Sequence, residues 1–262
     1  MSATIDYDTI LLHAIDLAHE AGKVQLEYFR STKFNVETKQ NNDFDVVTSA
    51  DKASEAVVKQ GIATRFPDHA ILSEESGLDD AGGSDWQWVI DPLDGTTNFS
   101  AGLPFFNVSI GVRYRGETVV GVVFAPRLGE LFTAVKGGGS YLNGERIFTP
   151  TTPKTLSQAV ISTGFPYDKA VNPDNNLDNV SRVMPLVRGL RRLGSAALDI
   201  SYVAAGFLDG FWELNLHEWD VCAATLIATE AGAVVESLRP DRGISIVAGQ
   251  PSIEAELRKI VK

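Results

Sequence analysis

The chain has 262 residues, 44% of them hydrophobic, with 34 acidic against 23 basic side chains and a formal net charge of −11. That length and apolar content can build one large domain or two tightly joined lobes, and the negative excess argues against a nucleic-acid or anionic-membrane surface. The single cysteine, Cys222, excludes an internal disulfide and suits a reducing cytosol; no stretch approaches the roughly 20 apolar residues that span a bilayer, and the N-terminus lacks a basic patch followed by an apolar run, so a soluble cytoplasmic protein is expected.

Ile10, Leu11, Ala14, Leu17, Ala18, Ala21 and Val24 recur at helical spacing and predict a first helix reaching about Phe29. His13 and His19 share a face of it only loosely and read as solvent-exposed. Residues 35–49 are polar, with Gln40-Asn41-Asn42-Asp43 at the centre, and read as a mobile loop or hairpin. Thr48-Ser49-Ala50-Asp51 leads into a helix over residues 52–65, stopped by Pro67. Ala70-Ile71-Leu72 reads as a short strand ending in Glu74-Glu75-Ser76. Trp86-Gln87-Trp88-Val89-Ile90 alternates large apolar groups as a strand does.

Residues 91–99 follow as Asp-Pro-Leu-Asp-Gly-Thr-Thr-Asn-Phe. Asp91 and Asp94 sit just past the expected strand end, Asp94-Gly95 turns the chain, and Gly95-Thr96-Thr97 opens a helix with outward amides. Carboxylate pairs hold hard cations and helix N-termini hold phosphate, so this segment offers both halves of a metal-assisted phosphate site. Taken alone, it reads equally well as a tight turn with two solvated aspartates.

Residues 107–114 and 117–124 are β-rich runs separated by Arg115-Gly116, a hairpin signal. Residues 131–136 continue that pattern up to Gly137-Gly138-Gly139, which lacks the Lys-Ser/Thr of a P-loop and reads as a connecting turn. Residues 149–157, with Pro150 and Pro153, mark the expected boundary between an N-terminal lobe (1–150) and a C-terminal lobe (151–262) of a single catalytic unit. Beyond it the patterning predicts a strand over 159–163 and helices over 176–188, 195–206, 221–232 and 251–261. Strands are expected near 210–214 and 244–248. Cys222 falls inside the alanine-rich helix that begins after Trp219-Asp220 and reads as a buried, inert thiol. Asp220 is either the cap of that helix or, with Asp51, Glu74 and the Asp91/Asp94 pair, a fourth acidic terminus gathered at one site. His217 reads as structural, because Mg²⁺ sites favour oxygen. Arg191 and Arg192 read as a surface pair or an intersubunit contact.

Five blocks together resemble the inositol monophosphatase family of Mg²⁺-dependent, lithium-sensitive phosphomonoesterases, in its bacterial form. They are Thr48–Asp51, Glu74-Glu75-Ser76, Asp91–Phe99, Arg192-Leu193-Gly194-Ser195-Ala196-Ala197 and Trp219-Asp220 with the helix to Gly232, in the family's order and spacing. The resemblance implies an α/β fold, a layered αβαβα sandwich, a homodimer, and two to three Mg²⁺ ions. By that resemblance Glu74, Asp91 and the Leu93 carbonyl bind the first ion, Asp91, Asp94 and Asp220 bind the second, and a third, weaker ion lies near Glu74. Asp51 and Thr96 orient the attacking water, with Glu74 also counted among the catalytic groups and Glu75 tuning Glu74 or a water from behind. Gly95 and Thr96 amides take phosphate oxygens, and Asp94, Ala196, Glu213 and Asp220 meet the rest of the substrate.

The implied reaction is hydrolysis of myo-inositol 1-phosphate to inositol and phosphate. Bound cations would reverse the local charge, which answers how an acidic enzyme takes an anionic ester. Thr97 disfavours phosphoadenosine phosphate and histidinol phosphate, because relatives acting on those carry lysine there. Fructose 1,6-bisphosphate or a broader range of sugar phosphates, and a regulatory protein-binding role like that of a transcription-linked bacterial relative, stand as alternatives.

Overall fold

The two periodicities in the sequence resolve into five layers in a computed structural model, which describes residues 7–31, 35–39, 42–80 and 82–262. In chain order the elements are α1 (Tyr7–Tyr28), β1 (Val36–Lys39), β2 (Asn42–Thr48), α2 (Ser49–Arg65), β3 (Ala70–Ser73), β4 (Gly77–Asp79), β5 (Trp86–Asp94), α3 (Thr96–Ser100), β6 (Asn107–Tyr114), β7 (Glu117–Ala125), β8 (Glu130–Val135), β9 (Gly139–Leu142) and β10 (Glu145–Ile147). They continue as β11 (Val160–Thr163), α4 (Leu177–Val183), β12 (Gly189–Arg191), α5 (Ala196–Ala204), β13 (Gly210–Leu216), α6 (Glu218–Glu230), β14 (Val234–Arg239), β15 (Ile244–Gly249) and α7 (Pro251–Leu257).

Helices α1 and α2 cover one face of an eight-stranded sheet ordered β10-β9-β8-β7-β6-β5-β3-β4. The face opposite carries α5 and α6, which are in turn covered by a five-stranded sheet ordered β12-β11-β13-β15-β14, with α4 and α7 outside it. This is the αβαβα sandwich. One apolar cluster joins α1 and α2 to Trp88, Ile90, Ile110 and Val122; a second, around Phe132, Leu198, Phe211 and Ile227, glues the two sheets through the middle helices. Each large side chain sealed in these layers contributes about 1.5–3 kcal/mol relative to exposure. Among the described residues no helix is long and apolar enough to cross a membrane.

Helix α6 approaches the large sheet closely, and small residues make this possible. A Cβ on Gly111 would lie 2.4 Å from Cys222 Sγ, and one on Gly121 would lie 2.6 Å from the Ala223 carbonyl oxygen. The thiol is thus a packing group, buried and pushed above its usual pKa by that burial. The close approach brings the start of α6, and with it Asp220, over the end of β5.

Several local expectations need correction. Strand β5 does not stop at Ile90: the ladder with β6 pairs Asp91 with Ser109 and Asp94 with Asn107, and the register shifts between them. Pro92 has no N–H to give the ladder, so the chain bulges at Pro92-Leu93 and then rejoins it. Helix α2 begins at Ser49 with Thr48 as its cap, and α6 begins at Glu218 with His217 in the cap position. Asp51 and Asp220 therefore occupy the third helical position of their helices; Asp220 is not the cap. The helix expected over 176–188 ends at Val183 and passes through a 3₁₀ turn containing Pro185 before β12. The strand expected near 210–214 runs on to Leu216, with Glu213 inside it. Within the polar segment 35–49, β1 and β2 pair antiparallel, and Gln40 and Asn41 lie outside the described residues. His19 is exposed, but His13 is partly buried, with Nε2 3.2 Å from the Gly61 carbonyl and its ring edge-on to Trp88.

Candidate active site

The bulge in β5 is where the site begins. Its Pro92 carbonyl accepts from Gln25 Nε2 of α1 at 2.8 Å and from Ser54 Oγ of α2 at 2.7 Å, both fully buried. Two helices thereby pin the loop that sets Asp91 and Asp94 on either side of Leu93. Gln25 escaped the sequence reading, although a glutamine on the apolar face of α1 is the signal that could have marked it.

Each acid is then held by its own partners. Asp91 Oδ1 accepts from the Leu93 amide at 3.0 Å. Asp94 Oδ2 accepts from three donors: Ser195 Oγ at 2.6 Å, the Ala197 amide at 2.9 Å and Asn107 Nδ2 at 3.1 Å. Asp220 Oδ2 accepts from the His217 amide at 2.6 Å. Glu74 and Glu75, in the turn after β3, share Lys39 Nζ at 2.7 Å each. Glu74, Asp91, Asp94 and Asp220 face one cavity of about 250 Å³, lined also by Lys39, Leu93, Gly95, Thr96, Asp45, Tyr167 and His217.

Charge repulsion is written into this arrangement. Burial pushes the Asp91 carboxyl well above its usual range, and Glu74, Asp94 and Asp220 push it further. Burial likewise raises Glu74, against the pull of Lys39, and Asp94, against its three donors. Asp220 is raised well above its usual value by burial and by Asp94. Burial works against the Lys39 charge, yet Glu74 and Glu75 outweigh it and keep the ammonium protonated. Among the described residues no three acidic, histidine or cysteine side chains close into a finished metal cage; Lys39 is the cation that reaches Glu74 and Glu75. The donor set is all oxygen, which is what Mg²⁺ takes, and Mg²⁺ keeps several waters and needs only a few protein ligands.

Asp51 is fully buried behind Thr96, which lines the cavity. Its Oδ2 accepts from the Thr48 amide at 2.8 Å and from Thr48 Oγ1 at 2.6 Å, while its Oδ1 lies 2.9 Å from Thr96 Oγ1. Burial pushes its pKa up to about 6, with the Thr48 and Thr96 hydrogen bonds working against burial. Thr96 Oγ1 also lies 3.0 Å from the Leu93 carbonyl. Gly95 precedes it with φ of +91°, and a Cβ there would meet the Phe105 carbonyl at 2.7 Å, so this turn takes glycine alone.

A second cavity of about 390 Å³ opens from the first across Gly95, Thr96 and Asp220 and is walled by Ala196, Asp199, Glu213 and the segment from Gly164 to Lys169. At the start of α5 the Ala197 amide holds Asp94, and Ala196 lines the cavity. Glu213 is pushed up to about 8, chiefly by burial, with Arg192 opposing. Arg192 lines this cavity, and Arg191 is exposed beside it. His217 borders both cavities and stacks on Trp219 at 4.9 Å. Lys39, Asp45, Asn107 and Asp199 are site residues that pattern reading missed. They lie far apart in sequence, and only Asp45, in the acidic run before α2, carried any local signal.

The layered sandwich and its crevice of carboxylates at the end of β5, beside a helix start, define a class of layered α/β proteins. The sequence profile of the inositol monophosphatase family matches residues 6–259, and the chain belongs to that family. It is 42% identical over 244 residues to the Nus factor SuhB of Escherichia coli K12, covering 92% of this chain and 91% of that protein. The crystal structure of the extragenic suppressor protein SuhB from Bartonella henselae superposes with a TM-score of 0.89 at 35% identity, covering 97% and 98% of the two chains. Inositol monophosphatase from Anabaena gives a TM-score of 0.85 at 37% identity, covering 98% and 96%.

Proposed function

We propose that the chain is a Mg²⁺-dependent phosphomonoesterase whose substrate is myo-inositol 1-phosphate or a closely similar polyol phosphate, with residues 1–150 and 151–262 acting as two lobes of one catalytic unit. The observation that carries this reading is the convergence of Glu74, Asp91, Asp94 and Asp220 on the cavity where Thr96 Oγ1 meets buried Asp51. Glu74, Asp91 and the Leu93 carbonyl would hold one ion, and Asp91, Asp94 and Asp220 another. When bound, Mg²⁺ supplies the positive charge that offsets a dianionic ester and polarises its oxygens.

The protein's own groups supply the rest. Asp51 accepts a hydrogen bond from the Thr96 hydroxyl, leaving the Thr96 oxygen lone pairs to accept from an attacking water and aim it at phosphorus. Asp51 in turn is fixed by two donors from Thr48 and cannot swing away. The Gly95 and Thr96 amides face the phosphate, and Ala196 and Glu213 meet the alcohol portion. Glu75 steadies Lys39, and the Lys39 ammonium must share Glu74 with an arriving cation.

Phosphate release from myo-inositol 1-phosphate, fructose 1,6-bisphosphate and an aryl phosphate, with and without Mg²⁺, tests this. Turnover that is unchanged by removal of divalent cations defeats it. The 42% identity to a Nus factor favours a second reading, in which the chain contacts the transcription machinery, as a homodimer or otherwise. A scaffold has no need of a buried, mutually repelling acid cluster, so retention of a protein-contact function in a turnover-dead variant such as Asp91→Asn would be required before preferring it.

A further inference from the structure

Gln25 stands in a buried stripe of α1 that is otherwise Ile10, Ala14, Leu17, Ala18, Ala21 and Gly22. It is 0% exposed, and its Oε1 is sealed with no hydrogen-bond partner. An unmade bond of that kind costs free energy, so the packing of α1 alone would favour an apolar side chain. The amide is spent on the β5 bulge instead. Its Nε2 donates to the Pro92 carbonyl at 2.8 Å and lies 3.4 Å from the Asn107 carbonyl. Ser54 Oγ, equally buried on α2, donates to the same Pro92 carbonyl at 2.7 Å. The ladder with β6 pairs Asp91 and Asp94 but neither Pro92 nor Leu93, so side chains do the work the sheet leaves undone. Proline fixes its own φ and the peptide is planar, so the Pro92–Leu93 unit turns on one remaining torsion, ψ of Pro92. The carbonyl end of that unit is the end the two helices hold. Its N–H end donates to Asp91 Oδ1 at 3.0 Å. Fixing one end of a rigid plane fixes the other.

We propose that Gln25 and Ser54 are positioning residues of the cation site: through the Pro92–Leu93 peptide they hold Asp91 and the Leu93 carbonyl ready for Mg²⁺ before any ion arrives. This rests on the Mg²⁺-dependent reading above. Neither side chain lines the cavity, so each acts only by restricting the peptide between the two aspartates. Asp91 is repelled by Glu74, Asp94 and Asp220 while the ion is absent. A free peptide would let Asp91 turn away from them, and an arriving ion would have to restore the order at the expense of its own affinity. With the ion seated the arrangement is regained, so affinity for Mg²⁺ is the quantity the clamp controls, and the rate of the loaded enzyme is not.

The test compares the wild type, Gln25→Leu, Ser54→Ala and the double variant. Mg²⁺ binding is read by calorimetric titration and by the rise in Tm across a Mg²⁺ series, beside the Tm of the metal-free proteins and kcat at saturating Mg²⁺. The Kd for Mg²⁺ is expected to rise about three- to tenfold in each single variant and about 10- to 100-fold in the double variant, with kcat within about threefold. Metal-free Gln25→Leu is expected to melt no more than about 3 °C below the wild type, because the sealed Oε1 goes with the side chain. A residue that only supports packing would lower that Tm and leave the Kd alone, and this result overturns the assignment. So does a loss confined to kcat. If the double variant does not fold, the single variants decide, and a Kd within about twofold of wild type in both overturns the clamp while leaving the phosphatase reading in place. A wild type that binds no Mg²⁺ overturns both.

Discussion

Thr96 Oγ1 lies 2.9 Å from Asp51 Oδ1, although 45 positions separate the two residues. The contact exists because α2 and α3 begin against the same bulge of β5, and each first turn aims a side chain into the gap. If Thr96 orients water through this bond, Thr96→Val, which keeps the shape and removes the hydroxyl, should lower kcat about 100-fold or more. KM should stay within about threefold, and Thr96→Ser should remain active. Single-turnover and steady-state phosphate release on the three proteins would check it; a valine variant retaining a tenth of kcat would contradict the role.

Asp91 is the acid that most of the others repel. Asp91→Asn should abolish turnover, and retention of more than about a tenth of kcat, a loss under roughly 1.4 kcal/mol, would argue against a bridging ligand. The metal-free variant should be at least as heat-stable as the metal-free wild type at pH 7, because a charge that folding buries among like charges has been removed. The rise in Tm on adding Mg²⁺ should be lost. Calorimetric melts with and without the ion would show both.

Gly164 and Glu213 form a pair whose test separates recognition from chemistry. A Cβ on Gly164 would lie 2.0 Å from Glu213 Oε1, so Gly164→Ala should displace the carboxylate and reproduce Glu213→Gln. Loss of a hydrogen bond to a charged group is worth about 1.5–3 kcal/mol. Accordingly kcat/KM for inositol 1-phosphate should fall roughly 10- to 150-fold in either variant, with an aryl phosphate affected less than about threefold. Equal losses on both substrates would place Glu213 in support of the acid cluster instead.

His69 provides a pH prediction far from the site. Its ring stacks on Phe66 at 4.8 Å and on Trp86 at 5.3 Å, and its Nδ1 accepts from Trp88 Nε1 at 3.0 Å. A protonated ring cannot accept there. Burial lowers its pKa below the ordinary 6.5, with Asp68 opposing. A histidine depressed in the folded state takes up its proton more readily when unfolded, so its stabilising contribution is present above 6.5 and is lost as pH falls from there toward the folded value. Tm should drop between pH 7 and 5, with a change in tryptophan emission, and His69→Phe should flatten both. A drop of the same size in the variant would assign it to other groups.

The sequence by itself determined the α/β alternation, most element positions and the family. Helices and hairpins are local: the apolar period of α1, the Arg115-Gly116 turn and the Gly95 turn each depend on residues within a few positions. The nine-residue block from Asp91 also carried its chemistry locally, because a proline between two aspartates must bulge a strand and a glycine must turn it. Tertiary structure alone decided which carboxylates meet and what charge they share. Lys39 reaching Glu74 and Glu75, and Gln25 and Ser54 pinning the Pro92 carbonyl, each join segments tens of residues apart. These contacts depend on how closely α6 settles on Gly111 and Gly121 and how the two sheets close on α5. Such distances follow from the packing of whole layers, and no local pattern records them.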